Sequence, residues 1–477
     1  MKTVCYYICD FTLSRKRMYL PILFFMCFVA CSKESPNLDD NDGDVTTDDE
    51  MSSAGLTILF ANAIGGSQND TFKAVVVTSD GGYAMLGDSQ SIDGVISDND
   101  TQINKLWFVK TESNGEVQFS KTYGGSEDSR GTDIITTTDG GYAILGYSES
   151  SDGDLTENNG FYDQWIAKLD AQGNLIWQKS FGFSGSDQAN ALIQTKDGGF
   201  FTTGFLDVSA SNGEGNDGLL PNRKSTPSSK GILHGVGEFW GHKLDSNGNL
   251  EWRRYFGGSD NDRSYDVVQA PDDGILMIGN SESNDFDITA SQGSYDFWAV
   301  RLDGDGNLLW QKSLGGSQID IGYAVTTTTD GAYIIAGDTR SDGGDVTNLR
   351  GSADVWLVKL SDSGELLWEK SFGGSNFDSA RAITKIPKGY AIAGASRSVD
   401  GQVSENNGQN DFWIATIDFS GNLMDEITLG GNNQDFGYGI SATSQGEIIV
   451  VGDTSSTSGP LTTTNGGTDG VLIKITQ

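Results

Sequence analysis

The chain has 477 residues, of which 64 are glycine and 7 are proline, and its formal net charge is −35. Frequent glycine together with 10% aromatic residues fits many short strands joined by tight turns. This composition excludes a disordered chain, because a disordered chain would lack the aromatic residues. The negative charge excludes nucleic acid as an expected partner, because lysine and arginine supply the affinity for phosphate backbones. The same charge favours cations and basic partners.

Cysteine and histidine are too few or too poorly placed for most catalytic or metal chemistry. The four cysteines, Cys5, Cys9, Cys27 and Cys31, all precede residue 32, so no later segment can form a disulfide or a thiolate metal site. The two histidines are His234 and His242. The sequence has no Gly-Lys-Ser/Thr phosphate loop, Gly-x-Ser-x-Gly elbow or His-Glu-x-x-His motif. These observations favour a binding scaffold over an enzyme.

The N-terminal residues 1–31 have the pattern of a lipoprotein signal peptide. Arg15-Lys16-Arg17 is a basic region, and the twelve apolar residues after Met18 are too few to span a bilayer. They end at Phe28-Val29-Ala30-Cys31, which resembles a lipobox. That resemblance implies that Cys31 is lipidated and becomes the mature N-terminus. An ordinary secretory signal with a chance cysteine is the alternative, and Met18 is an alternative start to Met1.

Residues 32–55 are polar and contain an acidic run from Asp39 to Glu50. A segment with so little to bury is expected to be a flexible, solvated tether. An acidic stretch just after a lipidated cysteine resembles the surface-export signal of Bacteroidota lipoproteins. The resemblance implies a protein anchored by lipid to the bacterial outer membrane and facing the cell surface.

Internal repetition indicates the fold. In the second unit, four segments have the pattern of short strands: Asp133 to Thr138, Tyr142 to Gly146, Asp163 to Asp170 and Leu175 to Phe181. Alternating apolar residues bounded by Gly, Asp and Asn are signals of strands and hairpins, and four antiparallel strands make one propeller blade. The Gly-Gly-like corner that opens each unit recurs at Gly65, Gly124, Gly182, Gly257, Gly315, Gly373 and Gly430.

The two ends of the chain predict that the ring closes. The seventh unit stops after its third strand, Gly470 to Gln477, while residues 56–64 form an unassigned strand just before the first corner. This N-terminal strand can therefore complete the last blade and remove the exposed edges of an open array. We predict that residues 56–477 form an all-β, seven-bladed β-propeller with four antiparallel strands per blade.

Several segments carry a resemblance to known propellers. Leu169 to Trp177 resembles the docking repeat of quinoprotein-type propellers, and the strand order resembles that of WD40-like blades. The whole unit, with its Asp139-Gly140-Gly141-Tyr142 turn, resembles the repeats of Bacteroidota surface propellers. These resemblances imply the fold and not an activity, because the quinone ligands map onto no position of this chain.

Tryptophan occurs at two positions of the repeat. A large ring repeated in blade after blade is expected to fill the same gap between blades, and a stacking platform for sugars is the alternative. The third-strand set is Trp107, Trp165, Trp240, Trp298, Trp356 and Trp413, and the fourth-strand set is Trp177, Trp252, Trp310 and Trp368.

An aspartate falls five residues after most corner glycines. A short Asp side chain can cap a turn by accepting hydrogen bonds from backbone N–H groups, and this is its expected role. The alternative is a ring of carboxylates that faces the central channel and binds a cation. These corner aspartates are Asp70, Asp187, Asp262, Asp320, Asp378 and Asp435.

The loops between the second and third strands are long and acidic. Closely spaced carboxylates suit Ca²⁺, which takes six to eight oxygen ligands, although no loop matches an EF-hand. Calcium is therefore a possible cofactor, and its candidate ligands are Asp152, Asp154, Asp285, Asp287, Asp342 and Asp345.

The third unit carries an insertion of about 17 residues within 207–238, a basic spot on an acidic protein. Long insertions in a regular scaffold often carry function, but surface insertions are also tolerated without one. The candidate partner-binding residues in it are Arg223, Lys224, Lys230 and His234.

Taken together, the sequence predicts a non-catalytic, lipid-anchored propeller that binds a glycan or a protein, as a monomer or as part of an envelope complex. Two alternatives remain open. One is an envelope enzyme that acts on polysaccharide like a glycoside hydrolase, since paired carboxylates are abundant. The other is a structural subunit of an outer-membrane complex.

Overall fold

A computed structural model describes residues 55–216, 234–463 and 466–477. Within these ranges, 28 strands form seven four-stranded antiparallel sheets. The same ranges contain no helix that could cross a membrane. The predicted signal peptide, Cys31 and the tether up to residue 54 lie outside the described residues, as does the insertion from 217 to 233.

The first three blades are built from consecutive strands. Blade 1 has β2 (Asp70–Val77), β3 (Tyr83–Ser89), β4 (Lys105–Thr111) and β5 (Val117–Tyr123). Blade 2 has β6 (Ser129–Thr136), β7 (Tyr142–Ser148), β8 (Asp163–Leu169) and β9 (Leu175–Phe181). Blade 3 has β10 (Gln188–Gln194), β11 (Phe200–Leu206), β12 (Glu238–Leu244) and β13 (Leu250–Phe256).

The remaining blades repeat this order. Blade 4 has β14 (Asp262–Gln269), β15 (Ile275–Ser281), β16 (Asp296–Leu302) and β17 (Leu308–Leu314). Blade 5 has β18 (Asp320–Thr327), β19 (Tyr333–Thr339), β20 (Asp354–Leu360) and β21 (Leu366–Phe372). Blade 6 has β22 (Asp378–Ile386), β23 (Gly389–Ser396), β24 (Asp411–Asp418) and β25 (Leu423–Leu429).

Blade 7 combines the two ends of the chain. Its strands are β26 (Asp435–Ala442), β27 (Ile448–Thr454), β28 (Asp469–Thr476) and the N-terminal β1 (Thr57–Ile64). β1 pairs antiparallel with β28, so that Thr57 faces Thr476 and Ile64 faces Gly470. The prediction of a seven-bladed propeller closed by the N-terminal strand is confirmed.

The first strands of the blades surround a central axis. Each packs against the first strand of the next blade, and β26 packs against β2 to complete the ring. The corners and the long loops lie at one end of this axis, which we call the loop face. The turns between first and second strands and the hairpins between third and fourth strands lie at the other end, the hairpin face.

The core lies between neighbouring sheets. The six third-strand tryptophans are fully buried, which confirms their predicted packing role. Trp165 donates its indole N–H to Gln178 Oε1 on the next strand (3.0 Å), so its polar atom is satisfied inside the blade. Trp107 stacks on Phe72 with ring centroids 4.5 Å apart.

Candidate ligand site in the central channel

The corner aspartates brace the turns. Asp70 is buried, and its Oδ2 accepts a hydrogen bond from the N–H of Gly66 (2.7 Å) and another from the Ser91 hydroxyl (2.8 Å). The same pattern recurs at Asp262, whose Oδ2 accepts the N–H of Gly258 (2.7 Å). The predicted turn-capping role is confirmed by these contacts.

The candidate calcium ligands of blade 2 also reach a corner. Asp152 Oδ1 accepts the N–H of Ser126 (2.7 Å), and Asp154 Oδ2 accepts the N–H of Gly124 (3.0 Å). The two acids therefore meet at one turn, where backbone N–H donors occupy one oxygen of each.

Blades 4 and 5 place their candidates in the same way. Asp285 Oδ1 accepts the N–H of Ser259 (2.9 Å), and Asp287 Oδ2 accepts that of Gly257 (3.2 Å). Asp345 Oδ2 accepts the N–H of Gly315 (3.2 Å), and Asp342 is exposed. Across the described ranges no group of three or more His, Cys, Asp or Glu side chains is arranged so that it could hold a metal ion. Two carboxylates per loop are fewer than the oxygens that Ca²⁺ takes, so calcium stays a prediction.

Of the basic insertion, the described residues include only the end that contains His234. Arg223, Lys224 and Lys230 lie outside them. His234 is not a free loop side chain: its Nδ1 lies 3.4 Å from Glu238 Oε2, and its ring stacks on Phe286 at 4.5 Å. Burial works against protonation, but the hydrogen bond and charge of Glu238 raise the pKa of His234 above its ordinary value.

The central channel contains a set of side chains that differ from blade to blade. Every first strand has a β-bulge, and the bulged residue is half-buried and follows a buried residue. A bulge turns a side chain out of the regular alternation, here toward the channel. In chain order these residues, which we call the channel ring, are Lys73, Thr132, Asn190, Tyr265, Tyr323, Arg381 and Tyr438.

Five members of the ring form a continuous aromatic and cationic arc. They come from blades 4, 5, 6, 7 and 1 in succession, and we call them the channel arc: Tyr265, Tyr323, Arg381, Tyr438 and Lys73. Lys73 Nζ lies 3.5 Å from the ring centroid of Tyr438, and the Arg381 guanidinium lies 3.7 Å from that of Tyr323. Tyr265 and Tyr323 have centroids 5.3 Å apart. Both cations therefore rest on tyrosine faces.

Carboxylates at the ends of three second strands lie beside the arc. Asp453 Oδ2 accepts a hydrogen bond from the Thr71 hydroxyl (2.9 Å), and Asp338 Oδ1 accepts one from the Ser379 hydroxyl (2.7 Å). Burial raises the pKa of the third acid, Asp88, to about 6, although nearby cations oppose the shift. The arc thus offers aromatic faces, N–H donors and carboxylate acceptors in one place.

Burial also acts on the cation at the end of the arc. It lowers the pKa of Lys73, and the positive charges of Arg130 and Arg381 add to this effect. The charges of Asp453 and Asp88 oppose it. These cations therefore act on one another within the channel, and Arg130 is held by Asp128 at 2.8 Å.

Sequence reasoning missed the channel ring because it searched for residues that repeat. A repeat position that holds the same residue in every blade is explained by packing between blades. A repeat position whose residue type differs from blade to blade is not constrained in this way and is available to bind a ligand. The third residue after each corner aspartate position is such a place. Comparing the units column by column would have found it.

A second cleft, of about 580 Å³, lies on the outer rim beside β1. Its lining includes Asn62, Val95 and Pro460 and contains no charged or aromatic side chain. The channel arc combines aromatic faces with charged groups and this cleft has neither, so the arc is the stronger candidate for a ligand site.

The comparisons with known proteins do not show which family the chain belongs to. No family model matches the chain. The regulatory protein FlaEY of Caulobacter vibrioides is 22% identical over 413 residues, which cover 77% of this chain. The match spans only 41% of that relative's length.

Solved structures with a similar fold have low sequence identity. The Pan2 WD40 domain of Neurospora crassa is 10% identical, with 89% of this chain and 96% of that chain covered and a TM-score of 0.47. A protein of unknown function from Dyadobacter fermentans is 13% identical, with coverages of 88% and 99% and a TM-score of 0.43. The PQQ-bound aldose sugar dehydrogenase of Streptomyces coelicolor is 10% identical, with coverages of 72% and 94% and a TM-score of 0.35.

Proposed function

We propose that this protein is a non-catalytic binding propeller that holds a glycan at the channel arc. The observation that carries the proposal is the arc itself: three tyrosines and two cations occupy adjacent blades at a channel position whose residue changes from blade to blade. Packing between blades does not require these side chains, so a ligand is the better explanation for them.

A glycan suits the arc better than a protein surface does. The rings are half-buried along the first strands, and we expect the narrow end of a sugar chain to reach them more readily than a flat protein surface does. Tyrosine faces stack against sugar rings, and the adjacent carboxylates can accept hydrogen bonds from sugar hydroxyls. A protein partner remains the proposal for the insertion, through Arg223, Lys224, Lys230 and His234.

Lipid attachment at Cys31 would hold the propeller at the outer membrane surface. The apolar stretch that ends at Cys31 and the acidic segment after it support this location. Its test is Cys31→Ser, which should move the protein from the membrane fraction to the soluble fraction. Retention of the variant in the membrane would contradict the anchor.

The glycan proposal is tested by measuring affinities on an oligosaccharide array. Tyr323→Leu and Tyr438→Leu each remove one stacking face and should weaken binding about tenfold, a loss near 1.4 kcal/mol. Phe161→Leu is the matched control, because Phe161 is an exposed aromatic residue of a loop-face loop. Equal affinities for the tyrosine variants and the wild type would refute binding at the arc.

One observation favours the enzymatic alternative. Burial raises the pKa of Asp88 to about 6, beside a lysine whose pKa is lowered, and such perturbed groups are frequent in active sites. Release of reducing ends from a bound oligosaccharide, lost in Asp88→Asn, would replace the non-catalytic proposal with a glycoside hydrolase.

The other alternative is a structural subunit of an outer-membrane complex. Co-purification of an envelope protein in a stoichiometric amount would favour it.

A further inference from the structure

We propose that the ligand of the channel arc carries an anionic group, a sugar carboxylate, which is seated between Lys73 and Arg381. This inference rests on the proposed glycan function and specifies the class of sugar. It follows from how the two cations are held, from what lies near them and from the charge of the rest of the protein.

Neither cation is neutralised by a contacting carboxylate. Over the part of the chain that the structure describes, no carboxylate oxygen lies within 4.0 Å of Lys73 Nζ or of the Arg381 guanidinium. This contrasts with the third-strand cations, such as Lys110 and Lys168, which pair with Asp80 and Asp139 at 3.0 Å. The arc cations are placed by tyrosine faces, which fix their positions but leave N–H donors for a ligand.

The nearest acids are engaged with other partners. The Thr71 hydroxyl donates to Asp453, and the Ser379 hydroxyl donates to Asp338. These carboxylates lie near enough to offset part of the positive charge, yet they do not contact it. An anion bound between the two cations would gain charge-assisted hydrogen bonds that no protein group provides.

The chemistry of an acidic sugar matches this arrangement. Its carboxylate would accept hydrogen bonds from Lys73 and Arg381, its hydroxyls would donate to the adjacent aspartates, and its ring would stack on tyrosine. A neutral sugar would leave both cations unused. A free inorganic anion would leave the aromatic faces unused.

The net charge of −35 limits the number of acidic groups on the ligand. The protein's own field repels a polyanion, and at physiological salt this repulsion extends over about 8 Å. A single carboxylate at the end of an otherwise neutral chain can reach the cations without this cost. We therefore expect one terminal uronic acid and not a polyuronate.

The test measures calorimetric affinities of the full chain for three probes. They are a neutral oligosaccharide capped by one terminal glucuronate, the same oligosaccharide with that carboxyl group reduced to an alcohol, and a polyglucuronate. We expect the singly acidic probe to bind at least tenfold more tightly than the reduced one, and the polyuronate to bind more weakly than the singly acidic probe. The advantage of the acid should shrink as salt is raised.

Two variants and a control place the effect at the arc. Lys73→Met and Arg381→Met should each remove the advantage of the acidic probe over the reduced probe. Lys196→Met is the control, since Lys196 is an exposed cation of the hairpin face that pairs with Asp273. Circular dichroism and melting temperature establish that each variant is folded.

The outcomes separate this inference from the proposed function. Equal affinity for the acidic and reduced probes would overturn the anionic ligand while glycan binding stands. Unchanged preference for the acid in both methionine variants would also overturn it. Failure of all three probes to bind would overturn the anionic-sugar inference, and failure across the wider oligosaccharide array would overturn the glycan function itself.

Discussion

At the scale of single residues, pairs of buried acids meet at the blade junctions. Asp411 and Asp435 lie so close to Gly430 that a methyl group there would overlap both. Asp435 Oδ2 accepts the N–H of Gly431 (2.8 Å), whereas Asp411 Oδ1 has no hydrogen-bond partner among the described residues. Two ionised carboxylates in one buried site repel each other, and a proton shared between them removes the repulsion.

At each blade junction, the two acids of a pair are either both present or both replaced. At the junction of blades 1 and 2, the corner Gly124 faces Ser129 and Lys105, so both acids are replaced at once. This joint replacement indicates that each acid depends on the other. The junctions that keep both acids are Asp70 with Asp469, Asp163 with Asp187, Glu238 with Asp262, Asp296 with Asp320, Asp354 with Asp378 and Asp411 with Asp435.

Asp411→Asn is predicted to flatten the pH dependence of stability. Burial and the charge of Asp435 raise the pKa of Asp411 to about 6, so the folded protein binds a proton more tightly than the unfolded chain does. The stability contributed is complete below the unfolded pKa near 3.8 and is lost as the pH rises through 6. The asparagine amide can donate permanently in place of that proton. Between pH 5 and pH 8 the wild type crosses about one pKa unit of this titration, so we expect the variant to lose about 1 kcal/mol less stability than the wild type over that range.

Thermal melts of Asp411→Asn at both pH values check this prediction, with the exposed hairpin residue Asp305→Asn as control. The lowered pKa of Asp139, about 2 through its hydrogen bonds with Thr137 and Lys168, does not interfere. The stability that ionised Asp139 contributes is lost only as the pH falls from 3.8 toward 2, which is below the pH range of the melts. An undiminished drop in melting temperature from pH 5 to pH 8 in Asp411→Asn would show that no proton is shared.

At the scale of strands and hairpins, the blade interface depends on a glycine packed against a tryptophan. Gly248, in the hairpin between β12 and β13, has φ +76°. A Cβ there would lie 2.7 Å from the ring of Trp177, which is on β9 of the preceding blade. The same contact recurs between Gly306 and Trp252. Glycine is required both for the backbone conformation and for the close approach.

Gly248→Ala should destabilise the protein more than Gly140→Ala does. Gly140 has φ +86°, but a Cβ on it would meet nothing within 4 Å, so it reports the backbone strain alone. We expect Gly140→Ala to cost about 1 kcal/mol, and Gly248→Ala to cost a further 1–3 kcal/mol because it also overpacks the interface. Urea unfolding of the two variants measures the difference. Equal losses would mean that Trp177 moves aside freely.

The elements could be predicted from the sequence because their signals are local. Alternating apolar residues and Gly-rich turns located the strands, and the repeated Trp165 position located the core. The pairing of the acids could not be predicted, because Asp411 and Asp435 belong to different blades and meet only after folding. The variable column of the channel ring can be read from the sequence, but the contacts across the channel cannot. The direction of Tyr323 depends on a bulge, which shifts one side chain against the period of two.

At the scale of the whole molecule, the ring is closed by one strand. β1 covers the edge of β28, and its Ile58 and Ala61 pack against the core between blades 6 and 7. Its last residue is followed directly by the corner that leads into blade 1, so the same segment links the last blade to the first. Without it, β28 would present an unpaired edge.

Deleting residues 57–64 is therefore predicted to abolish the single cooperative unfolding transition. The deletion exposes the β28 edge, uncovers apolar core and cuts the covalent link that holds blade 7 to blade 1, so association between chains should follow. Deleting residues 32–54 is the control, because that segment is the predicted tether and should leave the melting temperature unchanged. Size-exclusion chromatography and thermal melting compare the two. A monomeric 57–64 deletion that melts at the wild-type temperature would mean that packing between blades holds the ring without its closing strand.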